Sequence, residues 1–273
     1  MIEVTEITRI TIQKNNQHRY NIFIKKEGKE QYGFSVEEET LISEGLKKGE
    51  KLDQAKINEL MRTDDLNKAY NSAIHYLSYR MRSTKEIKDY LLKKELDEEQ
   101  LEVIIERLNR HNLLDDQAFA EAYVTTKMNT GFKGPEQIRV ELVQKGIKHE
   151  MIDYALQLYS EQKQLILIEK WLGKQMKKSA RQSYRQRINK MKQQLMQKGF
   201  QQSTIEQAFQ QYELDKDDDQ EWQALVYQGE KALRSYQAKS EGYQLVQKIK
   251  ASLYRKGFNQ DLIERFIDEH LPN

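Results

Sequence analysis

The strings PEQIRVELVQKGIKHEMIDYAL (135–156), YRQRINKMKQQLMQKGFQQSTIEQAF (184–209) and GYQLVQKIKASLYRKGFNQDLIERFI (242–267) decide the fold, because they are three copies of one pattern. Each holds a Lys-Gly pair, Lys145-Gly146, Lys198-Gly199 or Lys256-Gly257, followed by Ile147, Phe200 or Phe258. A fourth, earlier copy has Lys94-Glu95-Leu96 in the same place. Three residues before each lysine stands Leu91, Leu142, Leu195 or Leu253, and seven before it Ile87, Ile138, Met191 or Ile249. Six residues past the glycine position come Leu101, Ile152, Ile205 and Ile263, and ten past it Ile105, Leu156, Phe209 and Ile267. Residues four apart share a helix face, so every copy predicts two amphipathic helices joined at the Lys-Gly pair. Glycine fits the position after a helix end, where left-handed geometry costs it little, and the next apolar residue packs back across the turn.

A further amphipathic stretch precedes each pair, at 65–82, 115–129, about 161–179 and about 220–237. Each repeat is therefore three helices, twelve in all. Ser83 with Glu86 forms a capping box, Gly134-Pro135 starts a helix with proline in its first turn, and Asp115 or Asp116 caps the helix before it. The expected architecture is mainly α. Tandem three-helix repeats over 65–112, 113–160, 161–214 and 215–273 stack in series as an elongated curved rod.

The first 64 residues differ. Ile7, Ile10 and Ile12, then Tyr20, Ile22 and Ile24, then Tyr32, Phe34 and Val36 alternate like strands. KNNQ (14–17) and KEGKE (26–30) separate them. A three-stranded antiparallel meander is expected, with Leu41–Leu46 or Ile57–Met61 supplying a helix beneath it. The chain has 273 residues, no cysteine, 38% hydrophobic and 32% charged side chains. That composition favours several thin cores over one thick one. Without cysteine there is neither disulfide nor thiolate chemistry, and a cytoplasmic location is expected. The start MIEVTEITRITIQ has neither a basic lead nor an apolar run, so no signal peptide is expected, and no apolar segment suits a membrane.

AIHYLSYRMRSTKEI (73–87), LLDDQAFAEAYV (113–124) and GFKGPEQIRVELVQKGI (131–147) together resemble the RecX family. The family's three stretches stand here in order. They are Tyr76, Leu77, Ser78, Arg80, Arg82 and Ser83; then Asp116, Phe119 and Ala120; then Lys133, Gly134, Ile138, Leu142, Lys145, Gly146 and Ile147. The resemblance covers 65–160 directly, 161–273 through the repeat, and 1–64 through a β-segment like that of longer members. Glu95 departs from the pattern where glycine stands elsewhere. The resemblance implies a non-enzymatic, monomeric regulator in DNA repair, recombination and the SOS response. Its partners would be the RecA recombinase filament and single-stranded, or also double-stranded, DNA, and it would need no cofactor. The rival class is a DNA-binding module without a RecA partner.

Charge picks out the candidate contacts. Residues 169–200 hold ten basic side chains and one acid, Glu169, whereas residues 1–60 hold ten bases and eleven acids. A solvated helix face usually interleaves acids, so this block reads as a footprint for a polyanion. Lys174, Lys177, Lys178, Arg181, Arg185 and Lys190 are its candidates, and Trp171 or Tyr184 could stack on bases. Arg80, Arg82 and Lys85 form a second patch. Lys133 and Arg139 bracket Gly134-Pro135, where helix N–H groups suggest an anion site. The lysines of the Lys-Gly pairs read as partners of the helix dipole. The five histidines lack metal spacing, and P-loop, GxGxxG and GxSxG motifs are missing, so catalysis is not expected. Asp215, Asp217, Asp218 and Asp219 lack EF-hand spacing and read as a linker.

Overall fold

The computed structural model describes residues 4–94, 96–176, 178, 181–212 and 217–271. Strands β1 (Val4–Gln13), β2 (Asn16–Lys26) and β3 (Lys29–Glu37) pair antiparallel. Glu27 and Gly28 hold φ of 52° and 79°, as a two-residue type I′ hairpin turn requires. A fourth strand, β4 (Lys51–Asp53), pairs with β1, so the sheet order is β3-β2-β1-β4 instead of a three-strand meander. Three residues are too few to show an alternation in sequence. Register shifts fall between Ile7 and Arg9 and between Ile22 and Phe23. They explain why Ile7, Phe34 and Val36 face the core while Ile12 and Tyr32 face outward.

Helices α1 (Glu38–Ser43) and α2 (Gln54–Ser78) cover the sheet. Ile57 and Leu60 of α2 close a core with Ile7, Ile22, Ile24, Phe34, Val36, Leu46 and Leu52, against which Leu41 packs. Helix α2 then continues without a break into the first repeat, where Ala69, Tyr70 and Ala73 are buried. No glycine or proline interrupts residues 50–78, so the expected boundary at 64/65 lies inside a helix. Asp64, at that point, accepts from Arg19 at 2.6 Å and from the Glu37 N–H at 2.5 Å.

The remaining helices are α3 (Thr84–Leu92) and α4 (Glu98–Arg110), then α5 (Asp116–Thr130), α6 (Pro135–Gln144) and α7 (His149–Leu156). They continue with α8 (Glu161–Met176), α9 (Tyr184–Gln197), α10 (Gln202–Gln211), α11 (Asp218–Tyr236), α12 (Gly242–Arg255) and α13 (Gln260–His270). Four sets of three helices with an N-terminal antiparallel sheet make the mainly α fold that the repeat predicts. Leu91, Leu142, Leu195 and Leu253 are fully buried. In the third helix the deepest residue is one step earlier than expected: Ile104, Ala155, Ala208 and Phe266 are buried, whereas Leu156 and Phe209 are half-buried.

The chain divides into two compact units, 1–119 with 145–147, and 120–144 with 148–273. Within each, the Lys-Gly pair does more than end a helix. Gly146, Gly199 and Gly257 hold φ of 78°, 85° and 80°. After α9 the Phe200 N–H donates to Leu195 O at 3.2 Å and the Gly199 N–H to Met196 O at 2.9 Å. After α12 the Phe258 N–H donates to Leu253 O and the Gly257 N–H to Tyr254 O. Both are Schellman caps. The carbonyls of the pair then receive the start of another repeat's second helix. In the first unit Ser83 Oγ donates to Lys145 O at 2.8 Å. In the second, the Gly134 N–H donates to Lys198 O at 2.6 Å, the Glu136 N–H to Gly199 O at 3.1 Å, and Ser183 Oγ to Lys256 O. A helix N-terminus with spare donors thus meets a helix C-terminus with spare acceptors.

Candidate nucleic-acid interface

Basic side chains become a site only where no acid consumes them. At the start of α3 one does. Arg80 Nη1 and Nη2 each lie 3.1 Å from the Glu86 carboxylate, and Lys145 Nζ lies 2.8 Å from it. Burial alone would raise the Glu86 carboxyl. The hydrogen bonds from Arg80, Lys145 and the Ser83 N–H outweigh burial and hold it at about 2. Arg82 is buried: its guanidinium lies 3.3 Å from the Tyr76 ring centroid and its Nε donates to Tyr76 O. Both arginines lie beyond the end of α2. The Lys85 stem lies against Gly146, whose hypothetical Cβ would approach Lys85 Cβ to 2.7 Å. Lys145, read in sequence as a dipole partner, is an ion-pair partner.

This geometry carries a pH prediction. A carboxyl lowered from 4.5 to about 2 adds stability that is complete above pH 4.5 and is lost as pH falls towards 2. Thermal melts should therefore show the first unit losing stability across that window. In Glu86→Gln that part of the pH dependence should be missing. A Glu86→Gln protein with the wild-type acid profile would remove the assignment.

The expected anion site at Gly134-Pro135 does not form. Its N–H groups are taken by the Lys198 and Gly199 carbonyls. Lys133 pairs with Glu141, and Arg139 pairs with Asp153 and, at 3.5 Å, with Glu136.

The 169–200 block behaves differently. Between the end of α8 and α9 lies a cleft of about 420 Å³ lined by Gln175, Lys178, Arg181, Arg187, Lys190 and Gln194. Arg187 Nη2 spans the carbonyls of Gln175, Met176 and Lys178 at 3.2–3.3 Å, satisfying the end of α8 and fixing the wall. Ser183 caps α9 through the Gln186 N–H. Lys178 Nζ bonds the neutral Gln175 side chain at 3.0 Å. Arg181 lies 4.8 Å from the Tyr227 ring centroid. Lys174, Lys178, Arg181, Arg185 and Lys190 are exposed, and Lys177 lies outside the described residues. Trp171 stacks on Phe132 at 5.4 Å, which is a packing role. Asp217 caps α11 through the Gln220 N–H, and Asp215 lies outside the described residues. No group of three or more His, Cys, Asp or Glu side chains among the described residues could hold a metal ion. Among them no helix is long and apolar enough to cross a membrane.

With the sheet, repeats and cleft in place, known proteins supply the family. The "Regulatory protein RecX N-terminal domain" matches residues 5–53. The first, second and third three-helix domains of RecX match 69–108, 115–156 and 218–267. "Regulatory protein RecX" of Oceanobacillus iheyensis is 46% identical, over 98% of this chain and 99% of that one. The chain belongs to the RecX family. The RecX of Halalkalibacterium halodurans is 42% identical over 96% of this chain and 99% of its own. A crystal structure of regulatory protein RecX matches with a TM-score of 0.66 at 38% identity, covering 76% of this chain and 100% of that one. RecX from Lactobacillus salivarius matches at 0.54 and 37%, over 56% and 99%. The second and third three-helix models lie on either side of α8–α10, the helices that carry the cleft.

One cation near the cleft escapes a reading by charge runs. Lys256 Nζ reaches Gln228 Oε1 at 2.7 Å, and Gln228 Nε2 donates to Arg181 O at 2.6 Å, so a lysine 75 positions away in sequence joins the edge of the block. Burial, and then Lys231, push the Lys256 ammonium down. The signal available in sequence was the Lys-Gly repeat itself.

Proposed function

We propose that this RecX-family chain is a non-catalytic cytoplasmic regulator that binds the RecA–single-stranded DNA filament and restrains the recombinase during DNA repair and recombination. The observation that carries this reading is the acid-free span 170–205, folded into a cleft with Lys178, Arg181 and Lys190 at its rim. Membership of a family of regulatory proteins supports the regulatory role. A filament repeats its acidic and phosphate groups, so several weak charged contacts add up once the first is made. The test is retention on RecA-coated single strands, with and without nucleotide, beside bare strands. Retention well above that on bare DNA is expected. Equal retention on both would favour a DNA-binding module that needs no RecA, a reading that the same cleft supports.

A further inference from the structure

Two of the repeat joints share one frame, a capping serine whose hydroxyl reaches the carbonyl of a Lys-Gly pair. In the first unit Ser83 caps α3 and donates to Lys145 O, Lys85 lies over Gly146, and Asp116 accepts the Thr84 N–H at 2.8 Å. In the second unit Ser183 caps α9 and donates to Lys256 O, Arg185 lies over Gly257, and Glu221 accepts the Tyr184 N–H at 2.7 Å. Each joint therefore keeps one carboxylate on its first helical N–H. The difference in carboxylate charge lies three residues past the serine. Glu86 there accepts from Arg80 and Lys145 and neutralises them. Its counterpart is Gln186, an amide of the same length without charge.

Among the described residues no carboxylate pairs with Arg181, Arg185 or Lys256. Lys256 meets the amide of Gln228, and Arg181 meets the phenol of Tyr227 at 3.5 Å. Lys231 is near enough to Lys256 to lower its affinity for a proton. On α11 the nearby Glu230 pairs with Arg234 at 3.8 Å. Helices α9 and α12 contain no acid at all. Four cations, Arg181, Arg185, Lys231 and Lys256, thus gather around a joint whose counterpart of Glu86 carries no charge. Like charges gathered in this way raise the local positive potential and favour an anion among them.

We propose that the joint between α9 and the α12 end is a phosphate-binding clamp for single-stranded nucleic acid, in which a backbone phosphate takes the place that the Glu86 carboxylate fills at the first joint. A nucleic acid fits better than an acidic protein because the half-exposed Tyr227 ring lies beside Arg181 and exposed Tyr254 lies in the last turn of the acid-free helix that Lys256 caps. Aromatic faces beside a basic track suit stacked bases. The inference rests on the proposed engagement of a DNA filament and names where its phosphate is held.

The decisive variant is Gln186→Glu, which supplies the missing carboxylate. It recreates the Ser-x-x-Glu capping box of Ser83–Glu86, so folding should be kept or improved. The probe is an oligothymidylate, bound by the full chain across a salt series. Gln186→Glu should weaken binding and lower the slope of log K against log salt by roughly 0.7–1.4, one to two phosphate contacts, with a melting temperature equal to or above wild type. Lys256→Gln should do the same, since the Ser183 bond to that residue's carbonyl survives the change. Gln31→Glu, on the exposed end of β3, carries the same charge change and should leave binding unaltered. Wild-type binding in Gln186→Glu and Lys256→Gln would overturn the clamp, as would an equal loss in Gln31→Glu. Polyglutamate competing with the oligonucleotide on equal terms would make the site one for acidic protein and overturn the phosphate assignment. Retention on RecA-coated strands is scored separately. Loss of the clamp with retention intact would leave the regulatory reading standing, and failure of wild type to be retained would overturn that reading alone.

Discussion

Gly199→Ala should destabilise the second unit by more than about 3 kcal/mol, well beyond the usual cost of alanine at a helix cap. Two independent penalties meet there. The backbone holds φ of 85°, where an L side chain costs about 1–2 kcal/mol. A Cβ would also stand 2.4 Å from the Gln137 backbone nitrogen, and backbone cannot step aside as a flexible side chain can. Opening that gap breaks the bonds from the Gly134 and Glu136 N–H groups to Lys198 and Gly199. Two other glycines separate the penalties. Gly28 has φ of 79° with nothing within 4 Å of its Cβ position, so Gly28→Ala should show the conformational cost alone. Gly134 lacks positive φ, yet its Cβ would lie 2.3 Å from the Gly199 carbonyl, so Gly134→Ala should show the steric cost alone. At Gly257 the nearest atom is Arg185 Cβ at 3.1 Å, a milder clash than at Gly199, and Gly257→Ala should fall between. Denaturant unfolding measures all four. If Gly199→Ala costs no more than Gly28→Ala, the Lys-Gly pair is a helix cap and not a joint.

The same glycines show which part of the molecule could be read in advance. A helix end needs only local chemistry, so Leu at −3, Gly and a following Ile or Phe announce it wherever the chain goes. The use of that end as a socket depends on Ser83 meeting Lys145 and Ser183 meeting Lys256, 62 and 73 positions apart, and no local pattern encodes such a distance. Strand β4 was hidden because three residues carry no period. The continuity of α2 was hidden because two apolar stripes, one for the sheet and one for the first repeat, share a single helix. Charge behaved likewise. The 169–200 block was visible as composition, but whether a cation is spent depends on partners beyond its own helical turn. Arg139 reaches Asp153, Lys133 reaches Glu141, and Arg187 reaches back to the end of α8. Only the cations that find no carboxylate remain candidates, and Gln186 in place of Glu86 is one part of that difference. It becomes legible once the two joints are aligned on their serines.

Replacing Lys178, Arg181, Arg185 and Lys190 together by glutamine should flatten the salt dependence of single-strand binding by about 3 units of log K per log salt, if each touches a phosphate at roughly 0.7 apiece. All four are exposed, and glutamine keeps helix propensity, so the helices should persist with little change in melting temperature. Arg187 is left in place because it satisfies the α8 carbonyls, and its loss would confuse folding with binding. The matched control removes Lys25, Lys26, Lys29 and Lys51, four exposed lysines on the sheet, where acids and bases nearly balance. The net charge change is identical, so a general loss of attraction predicts equal effects, while a local footprint predicts a large effect for the cleft and a small one for the sheet. Measurements on RecA-coated strands then divide the remaining possibilities. A flattened slope with weakened RecA inhibition places DNA phosphate in the cleft. An unchanged slope with weakened inhibition places an acidic RecA surface there instead. If affinity, slope and inhibition all match wild type, the block is a solvated helix face, and both the cleft and the reading built on it must be given up.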